Sequence, residues 1–262
     1  MGAAIGSKDI VVKILGPTAD YVGAGLKEWT ERRVNNVGRI FQNAHKKLGD
    51  REEEEGSVHP KVLKEIFAEG SFAEDELAAE YFGGVLTSSR TGVPRDDRGA
   101  AFARLTAQLT TYQLRSHFFF YHLFKLIHNG SAHPISTTEG RLLLNIFIPL
   151  QSYGVALQLT PEENFEAIAQ HVLFGLSREG LIEDEFRMGN EELIRQSFPE
   201  AEGPGLLITP SALGVELFHW AHGLGHLPIA DFLKPETTFR SDIKIPTRPG
   251  FRATSGGNPA RT

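Results

Sequence analysis

Apolar side chains recur at intervals of three and four residues along two long stretches of this sequence, Val22–Leu48 and Leu105–Ile127. This spacing places them on one face of an α-helix, so the pattern predicts two long amphipathic helices and a mainly α-helical chain. A carboxylate at Asp96 or Asp97 can accept backbone N–H groups at a helix start, so we expect the second helix to begin there. We expect it to continue as one helix to Gly130.

Two shorter helices are predicted between the long ones. The first occupies Pro60–Gly70, and the second follows a capping box at Ser71–Glu74 and reaches Ser89. Within the second, the pair Gly83–Gly84 has no side chains and lets a neighbouring backbone approach closely. Four helices with short connectors predict a helical N-terminal bundle at residues 10–130.

Residues 139–234 predict an α+β module. Leu142–Pro149 is expected to be a short extended segment, with a helix as the alternative for an apolar run of this length. Thr160–Glu163 is expected to form a capping box that opens a helix. Leu206–Ile208 is expected to be a strand that leads into a last helix beginning with Thr209-Pro210. This order resembles the end of a winged helix–turn–helix domain, so we expect a winged-helix-like module.

Composition excludes several classes of protein. The chain has 262 residues, of which 40% are hydrophobic, and it has no cysteine, which excludes disulfides, thiolate metal sites and cysteine nucleophiles. No apolar run approaches the roughly 20 residues that cross a bilayer, and no targeting segment is recognisable. We therefore expect a cytoplasmic protein without a transmembrane segment. Residues 235–262, rich in Pro, Thr, Arg, Gly and Ser, predict a flexible tail.

Several segments resemble the bacterial Abi-alpha family, named for abortive infection: Ile14–Gly23, Pro60–Leu63, Gly70–Asp75 and Tyr81–Leu86. Phe174–Ile182 and Ile208–Phe218 are similar to one branch of that family, so the resemblance covers about residues 10–233. It implies a mostly helical protein of phage defence and supplies no catalytic residues. We expect action through contacts with phage or host proteins or through conformational change, and homo-oligomerisation stays open.

The most polar cluster of the sequence is a turn between two predicted helices, and it contains Arg90, Arg95, Asp96, Asp97 and Arg98. Arginine has a planar fork of donors that fits a phosphate or a carboxylate, so this turn is a candidate site for a phosphate or a protein partner. In the alternative interpretation, the aspartates cap a helix and pair with the arginines to hold the turn.

A second function remains open, that of a helical ribonuclease toxin. Such enzymes often place an Arg and a His one to two helical turns apart, as in Arg39 with His45 and Arg115 with His122. A chain with this many arginines and histidines contains such pairs by chance. Arg115 and His122 share a helix face and are the catalytic candidates of this alternative, with Arg104 and Tyr121 as neighbours.

Metal and cofactor sites are not predicted. The Glu216, His219, His222 and His226 cluster matches only one half of a di-iron signature, which needs two such elements. Glycine-rich phosphate loops are also missing from the sequence. The third function considered is a winged-helix DNA-binding regulator, but residues 160–235 hold four basic and 13 acidic residues, so we expect no DNA binding.

Overall fold

The computed structural model describes residues 23–49, 51, 54–244, 246 and 254–255, and the side chains of all of these except residues 23–29 and 254–255. Residues 10–22 of the predicted bundle, and most of the predicted tail beyond residue 246, lie outside the described residues. The chain is mainly α-helical with a small antiparallel sheet, as the sequence predicts.

The described residues form ten α-helices and six strands. The helices are α1 Gly23–Leu48, α2 Pro60–Glu69, α3 Glu76–Ser88, α4 Gly99–Gln108, α5 Thr111–His128, α6 Thr138–Leu142, α7 Leu150–Leu157, α8 Phe165–Arg178, α9 Glu191–Arg195 and α10 Ala212–Ala221. The strands are β1 Ser57–Val58, β2 Arg90–Thr91, β3 Ile146–Pro149, β4 Arg187–Gly189, β5 Gly205–Ile208 and β6 Thr254–Ser255.

Two compact units make up the chain. The first unit contains Met1–Gln108 and Trp220–Gly225, and the second contains Leu109–His219 and His226–Thr262. The second unit therefore includes α5, which the sequence analysis counted with the N-terminal bundle.

Close backbone contacts hold the first unit together. A Cβ atom at Gly83 on α3 would lie 2.7 Å from the Cβ of Asn43 on α1, and one at Gly84 would lie 1.7 Å from the carbonyl oxygen of Ala221. Both distances are too short for a side chain. The prediction that these two glycines admit a close neighbour is confirmed.

The predicted long helix from Asp96 or Asp97 to Gly130 is wrong, because it is two helices, α4 and α5. Thr110 separates them: its hydroxyl accepts the N–H of Gln113, and the Gln113 side chain accepts the N–H of Thr110 at 2.9 Å. This reciprocal capping box starts a new helix.

The predicted capping box at Ser71–Glu74 is also wrong. Residues Gly70–Phe72 form a 3₁₀ turn, and Asp75 caps α3 by accepting the N–H groups of Leu77 and Ala78. The hydroxyl of Ser71 donates instead to the carbonyl of Ala68. Aspartate at the next position is the stronger cap because its carboxylate reaches two orphan amides.

The sheet of the second unit has the strand order β4-β5-β3-β6, with all neighbours antiparallel. Its two central strands are buried, with Ile146, Ile148, Leu206 and Ile208 inaccessible to solvent. The predicted strand at Leu206–Ile208 is confirmed. The extended segment predicted at Leu142–Pro149 is a strand only at Ile146–Pro149, because Leu142 is the last residue of α6.

The helix predicted to open at Thr160 begins instead at Phe165. Asn164 is its cap and accepts the N–H of Ala167 at 3.0 Å. Thr160 and Glu163 form a separate turn just before it, in which the Thr160 N–H donates to Glu163 Oε2 at 2.6 Å. The turn and the helix cap lie next to each other, so the capping pattern marked the right region and the wrong residue.

Part of the segment predicted as a flexible tail is packed. The ring of Phe239 lies 4.9 Å from that of Phe218 and 5.5 Å from that of Phe232. Farther along, β6 pairs with β3 at Ile146 and Phe147. One aromatic residue in a polar segment supplies an apolar anchor that average composition does not reveal. Among the described helices, none is both long and apolar enough to cross a membrane.

Candidate binding groove

A groove of about 820 Å³ lies in the second unit, where the start of α5, the end of α7 and the start of α8 meet. This volume falls within the range of small-molecule sites. Its polar lining consists of Thr110, Thr111, Tyr112, Arg115, Gln158, Glu163 and His171.

Local sequence explains why these side chains meet. The capping box of Thr110 fixes the start of α5, so Tyr112 and Arg115 lie on its first turns. Gln158 ends α7, and the turn that follows carries Glu163 to the start of α8. Helix ends are where polar residues are favoured, so three helix ends together concentrate polar groups in one recess.

Arg115 is the arginine of the groove lining. The side chain is half-buried, and its Nη1 donates to the carbonyl of Leu157 at 3.3 Å and to the side-chain carbonyl of Gln158. Both acceptors are neutral. Within the described residues, no carboxylate forms an ion pair with Arg115.

The other titratable groups of the groove are held by hydrogen bonds. The Tyr112 hydroxyl donates to Glu163 Oε1, and Glu163 Oε2 accepts the Thr160 N–H. His171 Nε2 lies 3.3 Å from the Thr110 hydroxyl, and the ring is exposed. Both oxygens of the carboxylate are therefore engaged, while the histidine is accessible from solvent.

Gln158 has an unusual backbone conformation. Its φ of 56° makes it the one residue other than glycine with a positive φ among those that the structure describes. A side chain in this left-handed region costs about 1–2 kcal/mol. The same side chain accepts the Arg115 hydrogen bond, so the strained residue orients the cation of the groove.

The arrangement can hold an anionic group. Arg115 offers a charged donor fork, and the hydrogen-bonded pair of His171 and the Thr110 hydroxyl offers one further donor. Leu109, Leu157 and Ile168 contribute apolar wall. Mixed apolar and convergent polar lining of this kind is typical of a ligand site.

Arg115 and His122 are not brought together in this groove. His122 does not line it; the ring stacks on Phe118 at 6.3 Å, and desolvation by its neighbours lowers the pKa of the imidazole. Arg115 and His171 both line the groove, and the contact of His171 is with the Thr110 hydroxyl.

The remaining residues of the ribonuclease hypothesis have structural contacts. Arg104 pairs with Glu65 at 3.1 Å. Tyr121 is fully buried, and its hydroxyl donates to the carbonyl of Leu181 at 2.7 Å. Arg39 donates to the carbonyls of Ala73 and Glu74 at the 3₁₀ turn, and His45 is exposed.

In the polar turn of the first unit, four of the five candidate residues bond within the protein. Arg90 donates to the carbonyls of Arg51 and Glu54, and Arg98 forms a two-bond pair with Asp96 at 2.9 and 3.0 Å. Asp97 pairs with Lys61 at 2.6 Å.

The aspartates of the turn are stabilised as carboxylates. The hydrogen bond from Arg98 lowers the pKa of Asp96, and the hydrogen bond from Lys61 lowers that of Asp97. Arg95 is exposed and makes no hydrogen bond or ion pair with any residue in the described ranges. The interpretation in which the arginines and aspartates hold the turn is the one that these contacts support.

The histidines of the C-terminal half do not form a metal site. His219 is fully buried against the rings of Phe232 and Phe239, whereas His226 is exposed. No group of three metal-ligating side chains occurs in the part of the chain that the structure describes.

Sequence reasoning missed four groove residues, Tyr112, Gln158, Glu163 and His171. A signal existed for two of them, since Glu163 belongs to the Thr160 turn pattern and Tyr112 follows the capping box at Thr110. No local sequence pattern marks Gln158 or His171 as a groove residue.

Comparisons with protein-family models, curated proteins and solved structures found no match to this chain.

Proposed function

We propose that this chain is a cytoplasmic component of phage defence by abortive infection, and that it acts by binding rather than by catalysis. The segments that resemble the Abi-alpha family support the biological role. Of these, Pro60–Leu63, Gly70–Asp75 and Tyr81–Leu86 form α2, the 3₁₀ turn and α3. Tyr81, with 1% of its surface exposed, illustrates that this shared part is scaffold. We therefore propose that the binding site lies outside these segments.

The observation that carries the binding role is Arg115 in its groove. A half-buried guanidinium that contacts only neutral oxygens has lost part of its hydration and has gained no opposite charge. Such a group gains strongly from an anion supplied by a ligand or a partner. By contrast, the arginines of the polar turn already have their acceptors, apart from Arg95.

The second unit is proposed to be a winged-helix-like module that binds a protein or a small ligand and not DNA, joined to the N-terminal helical bundle. Strand β5 lies between β3 and β4, and α7 and α8 lie between β3 and β4 in the chain, an order that supports this arrangement. The exposed side of α8 carries Glu166, Gln170 and Phe174, and Phe174 is 64% exposed. An exposed aromatic ring suits a protein contact, and the acidic excess of residues 160–235 disfavours binding to the DNA backbone.

The ribonuclease alternative is favoured by one observation, that His171 and Arg115 both line the same groove. An imidazole can remove the proton of a 2′-hydroxyl while an arginine binds the phosphate. Incubating the purified chain with RNA tests this alternative. The binding proposal expects no cleavage; cleavage that His171→Ala abolishes and His122→Ala preserves would establish the ribonuclease.

Plaque formation tests the proposed function. Plaques would be counted on a phage-sensitive host that carries the wild type, Arg115→Ala or Arg95→Ala. Thermal unfolding of each purified protein would show whether the variant is folded. We expect the wild type to protect, Arg115→Ala to lose protection while folded, and Arg95→Ala, the matched exposed arginine, to protect normally. Full protection by a folded Arg115→Ala would exclude the groove, and loss of protection by Arg95→Ala alone would assign the site to the polar turn.

A further inference from the structure

We propose that the groove binds an organic phosphate of mononucleotide size, with Arg115 holding the phosphate and His171 donating a second hydrogen bond. This inference rests on the proposed function, because it names the chemistry of the ligand for the same groove.

Arg115 is oriented for an anion. Hydrogen bonds to the Leu157 carbonyl and the Gln158 side chain both use Nη1, so they fix the guanidinium while its other nitrogens have no partner within the described residues. A planar fork with two parallel N–H groups matches two oxygens of a phosphate or carboxylate.

A further donor favours a phosphate over a carboxylate. A carboxylate has two oxygens, both of which the Arg115 fork can satisfy, whereas a phosphate monoester has three acceptor oxygens. The His171 ring and the Thr110 hydroxyl are hydrogen-bonded to each other at 3.3 Å, so this pair offers one remaining N–H or O–H donor to the same groove. Donors on two sides of a recess suit a tetrahedral group.

The volume of the groove and its apolar lining indicate that the ligand has an organic part in addition to the phosphate. A groove of about 820 Å³ is far larger than a phosphate ion needs. Leu109, Leu157 and Ile168 give the apolar surface on which a planar or aliphatic body packs. The ligand class is therefore a phosphate joined to a body of about the size of a nucleoside.

Glu163 is the negative charge that faces this ligand. Its two oxygens are engaged by the Tyr112 hydroxyl and the Thr160 N–H, so the carboxylate is held in place by donors of the protein. Glu163→Gln removes the charge and keeps a carbonyl oxygen for one of these bonds. The two variants at Arg115 and Glu163 should therefore change phosphate binding in opposite directions.

Calorimetric titration of the full chain with adenosine 5′-monophosphate tests the inference. We expect binding that Arg115→Ala weakens about tenfold or more, that His171→Ala weakens severalfold, and that Glu163→Gln strengthens. Adenosine and inorganic phosphate are expected to bind far more weakly, since each lacks one part of the ligand. His171 is exposed, so its variant keeps the test valid if Arg115→Ala fails to fold.

Three results would overturn the inference. They are no binding of adenosine 5′-monophosphate at millimolar concentration, equal binding of adenosine, and tighter binding of decanoate, a carboxylate with an alkyl chain. If any of these occurs while Arg115→Ala still loses phage protection, the proposed function stands and the ligand class is wrong. If Arg115→Ala binds the nucleotide like the wild type, the assignment of the phosphate to Arg115 is wrong.

Discussion

At the scale of single residues, Gln158 combines a strained backbone with a contact to the candidate site. Glycine adopts a positive φ without a steric cost, so Gln158→Gly should raise the free energy of unfolding by about 1 kcal/mol. The same change removes the Gln158 side-chain carbonyl that accepts a hydrogen bond from Arg115, so it should weaken nucleotide binding. Equilibrium urea unfolding and calorimetry together measure the two opposite effects.

Gln170→Gly is the matched control, because Gln170 lies within α8 in a right-handed helical conformation. Glycine there should lower the free energy of unfolding by about 1 kcal/mol. If Gln158→Gly destabilises the protein as much as the control does, the positive φ of Gln158 does not strain the folded protein.

Two buried histidines should make the protein sensitive to acid. Burial lowers the pKa of His117 to about 3 and that of His219 to about 4, against an ordinary value of 6.5. Above pH 6.5 both rings are neutral in the folded and unfolded states. Below it the unfolded chain gains protons that the folded chain excludes, so the free energy of unfolding falls as the pH falls towards 4.

Urea unfolding at pH 7 and pH 5 measures this loss, which should be about 4 kcal/mol for the two residues together. His219→Phe removes one of the two groups and fits the surrounding aromatic rings, so it should reduce the loss to about 2 kcal/mol. A stability that does not change between these pH values would show that the two rings are not held neutral.

Sequence reasoning at the residue scale paired Arg115 with His122, and of these two residues Arg115 lines the groove. The spacing pattern selects residues on one helix, and it cannot detect a partner on another helix. His171 lies on α8 and reaches the start of α5 only through the tertiary fold. Arg95–Arg98 looked like a site because of composition, whereas three of those four residues pair with neighbouring side chains.

At the scale of elements, α5 is fixed to the segment before α10 through Tyr121. Its hydroxyl donates to the Leu181 carbonyl and accepts the N–H of Ser211 at 3.0 Å, and all three groups are buried. Tyr121→Phe would leave a buried donor and acceptor without this partner. We expect a loss of about 2 kcal/mol in the free energy of unfolding.

Tyr112→Phe, on the same helix, is the comparison for this prediction. Tyr112 is half-buried and its partner Glu163 is also accessible to water, so the loss should be under about 1 kcal/mol. Denaturant unfolding of both variants checks the difference. Equal losses would mean that the buried hydroxyl network does not anchor α5.

The elements themselves were largely predictable, and their ends were not. Apolar periodicity gave α1 and α2, and the short apolar run at Leu206–Ile208 gave β5. The break between α4 and α5 was missed because apolar residues continue through it with helical spacing. Only the capping box at Thr110 marks the break, and at Ser71 a similar pattern was misread.

At the scale of the whole molecule, the distribution of charge bears on DNA binding and the tertiary fold forms the groove. The net charge of −6 arises in the C-terminal half, and this imbalance led us to expect no DNA binding. The groove depends on two segments that are far apart in the sequence, the start of α5 and the connection from α7 to α8, so local patterns do not predict it. Its cation is nonetheless a residue that the sequence had singled out.

Hydrogen exchange of the full chain with and without adenosine 5′-monophosphate tests most directly whether the groove around Arg115 is where this protein binds. The account predicts slower amide exchange in residues 110–115 and 157–171, with residues 90–98 of the polar turn unchanged. Protection confined to residues 90–98, or no protection in the groove at a nucleotide concentration that saturates the calorimetric titration, would contradict it.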